Sequence, residues 1–279
     1  MRHALRHDPC RHHGPASRTL AFGDGLSLVA EAGCLHFRYP TPLRTLSNAL
    51  VGEGLGWARD FCNFYVDRDY DGRAPSEDLR RWLAARGLLE GRGAGWAEER
   101  GEGRAEERGE GRAEKRGEGR AEKRDEALAM MTAVPLAHLA LVPVDVDEAD
   151  GKPRVLAAVT AGVGNAVDIT APASGDPRLV AGTINVLVFV DGHLTDGALV
   201  NAALSATEAK VQALAADGVR DPEHGTPATG TSTDCLAIVA TQRGAPTPYA
   251  GSGTRLGRAI GAAVYRAVRE SLAAGEGAS

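Results

Sequence analysis

The sequence predicts an α/β fold: a mixed β-sheet covered by helices, built as a single domain with a low-complexity insertion. Three observations carry that reading: short runs rich in β-branched residues bounded by Gly and Asp, capped helical segments between and after them, and one block of charged repeat with no apolar face. The 279 residues are 43% hydrophobic and 25% charged, and a formal charge of −5 offers nucleic acid or an anionic lipid surface no general attraction.

In chain order, residues 1–20 contain His3, His7, Cys10, His12 and His13 at spacings that match no standard ligand motif, and are read as a disordered tail. The domain is expected over 21–273, with 274–279 as a second tail. Phe61–Val66 reads as a strand, and Pro75–Arg86 as a helix whose start is signalled by Pro75 and Ser76. From 91 to 126 an eight-residue unit recurs, as in Gly101-Glu-Gly-Arg-Ala-Glu-Glu-Arg108. Two glycines per unit cost about 2 kcal/mol relative to alanine in a helix, and a single alanine offers no burial in return. The segment is therefore read as a solvated insertion, and without a face to stack it cannot be a solenoid. Its 10 basic and 11 acidic residues leave the charge argument unchanged. Beyond it, Arg154–Thr160, Ile184–Val190 and Leu236–Thr241 read as buried strands. Thr195 or Asp196 caps a helix over Gly197–Ala215, and Thr254 caps a last helix to about Ala273.

Four cysteines without a Cys-x-x-Cys pair give no disulfide framework and no zinc knuckle, which fits a reducing cytoplasm and no bound metal. The basic start lacks the apolar stretch of a secretory signal. The longest apolar run, Ala127–Val144, is broken by Thr132, Pro135, His138 and Pro143, and falls short of the roughly 20 clean residues of a membrane span.

Candidate chemistry comes from helical geometry. At 100° per residue, Leu199, Ala202, Ala203, Ala206, Ala213 and Leu214 form one stripe with Lys210 at its centre, while Glu208 falls on the solvated side. An inward lysine either snorkels to an edge or faces a polar cleft. If the helix is a crossover between parallel strands 184–190 and 236–241, Lys210 sits near their amino-terminal edge. Thr183, Asn185 and the segment Ala228-Thr-Gly-Thr-Ser-Thr-Asp234 lie at that edge. An antiparallel strand 154–160 would deliver Thr160-Ala-Gly-Val-Gly-Asn165 to it. Such loops aim hydroxyls and N–H groups at a bound oxygen, although tight turns need Gly and Thr for backbone reasons alone.

Read together, Thr160-Ala-Gly-Val-Gly-Asn-Ala166, Gly182-Thr-Ile-Asn185, Ala206-Thr-Glu-Ala-Lys210, Ala228-Thr-Gly-Thr-Ser-Thr-Asp234 and Leu256-Gly-Arg-Ala-Ile-Gly261 resemble the adenosylcobinamide amidohydrolase family of corrinoid salvage. Weaker matches at Leu46-Ser-Asn-Ala49, Gly52-Glu-Gly54 and Met131-Thr-Ala133 extend the resemblance upstream. It implies hydrolysis of adenosylcobinamide to adenosylcobyric acid and aminopropanol. It implies a small corrinoid as the partner and no cofactor, because the cobalt belongs to the substrate. The oligomeric state is left open. The chain departs from the family pattern at Asn48, Glu53 and Gly253, where the pattern has Ser, Gly and His.

On this basis Asp234, or else Glu208, is the expected general base, and Lys210 with loop N–H groups the oxyanion partner. Thr231 and Thr233 are candidate nucleophiles. Asn165, Thr183, Asn185, Thr229 and Ser47 are the expected substrate-binding residues, with Asn165 and Asn185 orienting the amide. A plainer reading has Asp234 only capping a turn. Two other functions compete: a corrinoid-binding protein that keeps the fold without hydrolysis, and a phosphate-binding transferase, against which the lack of a basic cluster near Ala228–Asp234 argues. Deletion of residues 93–124 is expected to leave folding and activity intact, and an insoluble product would contradict the insertion reading.

Overall fold

Every residue of Ile184–Val190 is buried, so this strand must lie inside a sheet covered on both faces. A computed structural model, which describes residues 16–31, 33–89, 127–146, 154–172 and 182–276, places it there. The strands are β1 (Ala16–Thr19), β2 (Ser27–Glu31), β3 (Cys34–Ser47), β4 (Gly54–Tyr65), β5 (Ala127–Thr132), β6 (Ala140–Val144), β7 (Val155–Ala161), β8 (Ala166–Val167), β9 (Ile184–Val190), β10 (His193–Leu194), β11 (Gly230–Thr231), β12 (Cys235–Ala240) and β13 (Pro246–Thr247). The helices are α1 (Pro75–Ala85), α2 (Asp196–Ala216) and α3 (Arg255–Glu276). The main sheet runs β1-β2-β3-β12-β9-β7-β6, with β4 on the other edge of β3 and β5 beside β4. As expected from the crossover, β12 is parallel to β9 and β7 is antiparallel to it.

Alternation along the central strands separates two cores. Val186, Val188, Val190, Val159 and Ile238 pack beneath α2 and α3. Leu187, Phe189, Leu156 and Val239 face the other way, into the hollow of a sheet curled into a half-barrel. Phe189 is the centre of that hollow, with Phe22, Phe37 and Phe61 at ring-centroid distances of 5.9, 5.7 and 5.3 Å. Buried amides tie the curl: Asn185 Nδ2 donates to Asn63 Oδ1 on β4 and to Met131 O on β5, each at 2.9 Å, and Asn63 Nδ2 donates to Thr160 Oγ1 on β7 at 2.9 Å. On the outer face Arg44 of β3, itself buried, reaches Asp196 at the head of α2 at 3.0 Å and lies 5.6 Å from the centre of the Trp57 ring.

The helices start where the capping signals put them. Thr195, rather than Asp196, caps α2, its Oγ1 accepting from Ala198 N at 3.2 Å, and Thr254 Oγ1 accepts from Gly257 N at 2.9 Å ahead of α3. That last helix runs to Glu276, three residues past its expected end, so it takes in half of the expected tail 274–279. The strand expected at 61–66 is the second half of the much longer β4. Strands β1, β2, β3, β5 and β6 are additions to the sequence reading. Pro40 and Pro42 argue against a strand in β3, and the structure accommodates both where its pairing with β4 shifts register between Arg38 and Leu43. β5 is built of Ala, Leu and Met with a single β-branched residue, and only its place beside β4 makes it a strand.

The repeat 91–126 and almost all of the amino-terminal tail lie outside the described residues; Ala16–Thr19, the end of that tail, form β1. The repeat falls in the connection between β4 and β5, two parallel strands hydrogen-bonded to each other, and α1 from the same connection packs its Leu79 and Leu83 with Ala127 and Ala129 of β5. No helix among the described residues is long and apolar enough to cross a membrane. Phe189→Ala is expected to cost about 3–5 kcal/mol in urea denaturation, because the other three rings cannot close over the space it leaves.

Candidate active site

The topology brings the predicted polar residues to one edge. Strands β9 and β12, being parallel, start there; β7, being antiparallel, ends there; and α2 runs back from the far end. Lys210, fourteen residues into α2, therefore returns to the start of β12, and its Nζ lies 2.5 Å from Asp234 Oδ2. The other carboxylate oxygen accepts from Ile184 N at 3.2 Å, from Thr231 N at 3.1 Å and from the Thr231 hydroxyl. Asp234 thus joins α2, β9 and β11, and both side chains of the ion pair keep some contact with solvent, at 15% and 20% exposure. Gly230 is needed for this approach: a Cβ there would lie 2.7 Å from Lys210 Nζ and against Asp234.

The remaining predicted residues form a second layer of bonds. Thr183 Oγ1 donates to Thr233 O at 2.7 Å, and Thr233 Oγ1 to Gly182 O at 2.6 Å. Asn165 Nδ2 donates to Ser232 Oγ at 2.9 Å and Thr233 Oγ1 at 3.3 Å, while its Oδ1 is buried and has no hydrogen-bond partner among the described residues. Thr229 Oγ1 accepts from Ile169 N at 3.0 Å and donates to Val167 O at 3.3 Å. Ser47 Oγ bonds Leu236 O at 2.9 Å and Ala49 N at 2.9 Å. Asn185, by contrast, is turned into the half-barrel with both amide hydrogens committed there, and Glu208 is exposed on the far side of α2 from Lys210.

The three positions set apart in the sequence, Asn48, Glu53 and Gly253, all lie among the described residues, with Glu53 exposed between β3 and β4. Asn48 clamps the entry to β12: its Nδ2 donates to Asp234 O at 3.0 Å and its Oδ1 accepts from Leu236 N at 2.7 Å, a bridge that a serine is too short to make. Gly253 precedes α3 in open space, with nothing within 4 Å of a Cβ placed there. It follows the β10–β13 ribbon, which lies beyond the carboxyl ends of β9 and β12, so none of the contacts around Lys210 involves it. A cavity of about 350 Å³ lined by Arg154, Tyr249, Thr254 and Arg255 is at that distant end too, and does not contain the Lys210–Asp234 pair.

Cys235 adjoins the pair but is no nucleophile at neutral pH, because burial and then the charge of Asp234 push its thiol up to about 12. The ribbon of β8 and β11 that carries Thr231 rests on Asp221, a residue missed in the sequence because only the folded loop shows its role. Its carboxylate accepts from Asp168 N at 3.0 Å, Glu223 N at 2.8 Å and His224 N at 3.2 Å. The Asp168 N–H first, then that of Glu223, hold Asp221 down at about 2. Asp168 is lowered as well, by the Thr170 hydroxyl and then the Thr170 N–H. Among the described residues no group of three or more His, Cys, Asp or Glu side chains is placed to hold a metal ion.

Comparison with known proteins turns this geometry into a relationship. The family model of adenosylcobinamide amidohydrolase matches residues 102–279, more than half of the chain. The chain belongs to that family. It is 34% identical over 130 residues to an adenosylcobinamide amidohydrolase of Halobacterium salinarum, covering 45% of this chain and 53% of the relative. It is 32% identical over 123 residues to another of Methanosarcina mazei, covering 41% and 54%. An uncharacterised protein of Methanocaldococcus jannaschii is 37% identical over 97 residues, covering 34% and 38%. The chain thus spans about half or less of the length of the relatives it matches. The amidohydrolase match takes in Asn165, Thr183, Lys210, Thr231 and Asp234, whereas Ser47 and Asn48 support the site from outside it.

Acid should loosen the β8–β11 ribbon before the core. A carboxyl held near 2 in the fold and near 4 when unfolded contributes stability that is complete above about pH 4 and lost as the pH falls through 2. Asp221→Asn is therefore expected to remove part of the wild-type pH dependence of the melting temperature between pH 4 and 2, and an unchanged slope would assign that dependence elsewhere.

Proposed function

We propose that this amidohydrolase-family chain hydrolyses the amide joining the aminopropanol arm of adenosylcobinamide to a propionate of the corrin ring, releasing adenosylcobyric acid and aminopropanol in corrinoid salvage. The observation that carries the reading is the convergence of Lys210, Asp234 and Thr231 at one loop-lined strand edge. Asp234 accepts a proton as the carbonyl is attacked, and Lys210 with the loop N–H groups balances the charge that develops on the oxygen. Asn165 acts through the loops: its Nδ2 donates to Ser232 Oγ and Thr233 Oγ1 and so orients the groups that face the substrate amide. The cobalt is part of the substrate, and the reaction uses no further cofactor. We place the activity in the cytoplasm, in one domain over 21–273 with 91–126 as an insertion.

One observation favours the binding-only alternative: the Asp234 carboxylate already accepts four hydrogen bonds, as a purely structural turn-former would. Incubation of the purified chain with adenosylcobinamide under reducing, metal-free conditions, with mass detection of both products, separates the two. Release of adenosylcobyric acid with a loss of about 10²–10³-fold in Lys210→Ala and Asp234→Ala is the expected result. Corrinoid binding without release would leave the chain a binding protein, and full turnover by either variant would remove that residue from the chemistry.

A further inference from the structure

The hydroxyl groups at the site edge are sorted by where their protons go. Thr183 donates to Thr233 O at 2.7 Å, Thr233 to Gly182 O at 2.6 Å, Thr229 to Val167 O at 3.3 Å and Ser47 to Leu236 O at 2.9 Å. Each of these makes its shortest donated bond to a main-chain carbonyl and pins a loop, and Thr183 Oγ1 also lies 3.2 Å from the Asn185 amide oxygen. Ser232, which is exposed, accepts from Asn165. Thr231 differs from all of them, since its hydroxyl donates to the Asp234 carboxylate, whose second oxygen is 2.5 Å from Lys210 Nζ. A hydroxyl directed at a carboxylate beside a fixed cation is the arrangement of a nucleophile with its base in place.

We infer that Thr231 Oγ1 is the attacking atom and that the site works through a covalent ester, which gives it a further activity: transfer of the acyl group to small primary amines. The inference rests on the hydrolase reading above. In the first step the Thr231 oxygen bonds to the amide carbonyl carbon and its proton passes to Asp234. The carbon–nitrogen bond then breaks and the departing amine takes that proton. In the second step water attacks the ester carbonyl, Asp234 accepts the water's proton, and its return to Thr231 Oγ1 frees the carboxylic acid product. No oxidant or reductant is involved. A primary amine attacking in place of water gives a new amide by the same sequence, and an ester on a buried hydroxyl is open to whichever nucleophile fits the space vacated by aminopropanol. Ethanolamine, one methyl smaller, fits that space.

The test supplies adenosylcobinamide and ethanolamine together and follows aminopropanol release, acid and ethanolamide by mass. The expected result is ethanolamide formed at the expense of acid as ethanolamine is raised, with both products lost about 10³-fold in Thr231→Val and retained within tenfold in Thr231→Ser. Melting temperatures within a few degrees of wild type show that Thr231→Val is folded, and the serine variant separates the hydroxyl from the shape of the side chain. Acid as the sole product at every ethanolamine concentration, or release by Thr231→Val within a few-fold of wild type, overturns the inference and assigns the attack to water, with hydrolysis intact. A wild-type chain that releases no aminopropanol overturns the hydrolase reading and the inference with it.

Discussion

One carboxylate organises the strand edge at which the polar loops of this molecule meet. Asp234 stands at the turn into β12 and collects donors from the start of β9, from β11 and from α2. Bringing Lys210 and Asp234 out of bulk water is unfavourable for each alone, and the short contact between them, with three further donors on the carboxylate, is what makes the arrangement tolerable. The order of construction follows from it. The β9-α2-β12 crossover brings the lysine back to the edge, the glycine at 230 lets it approach, and Asn48 holds the entry to the strand that the carboxylate precedes.

Much of this was legible in the sequence, and the parts that were not share a physical cause. Lys210 could be placed because an apolar stripe with one lysine at its centre fixes a direction, and the two strands flanking the helix fix which end it returns to. Thr195, Thr254 and Pro75 could be placed because helix ends carry local signals. What stayed hidden depends on partners distant in sequence. The 14-residue β3 contains two prolines and two arginines, and nothing local marks it as the strand that β2, β4 and β12 all pair with. The separate fates of Asn165 and Asn185, one among the loops and one inside the half-barrel, depend on which face of the curled sheet each meets. Thr231 and Thr233 look alike in sequence, and only their acceptors separate them.

The site is also divided between two kinds of support. The edge itself falls within the stretch matched by the family, whereas the clamp on β12 comes from Ser47 and Asn48, outside it. A side-chain amide at 48 performs the work of a main-chain pair by bonding the Asp234 carbonyl and the Leu236 N–H, and so holds the entry to β12. Gly253 is in open space at the other end of the strands.

The pairing of β3 with β12 has a consequence for synthesis. Ser47 and Leu236 are hydrogen-bonded across 189 positions of chain, so a ribosome that has finished β3 must make most of the protein before the partner of that edge exists. At an elongation rate on the order of 5–20 residues per second, the edge stays open for roughly ten seconds or more. The stretch left open is Arg44–Ser47, because Cys34–Arg38 of the same strand already pair with β2, and a short edge is the less prone to join a neighbour's strand in that interval. Pro40 and Pro42 stand just before that stretch and Arg44 begins it, so part of the composition that makes β3 hard to read also discourages such pairing on the nascent chain.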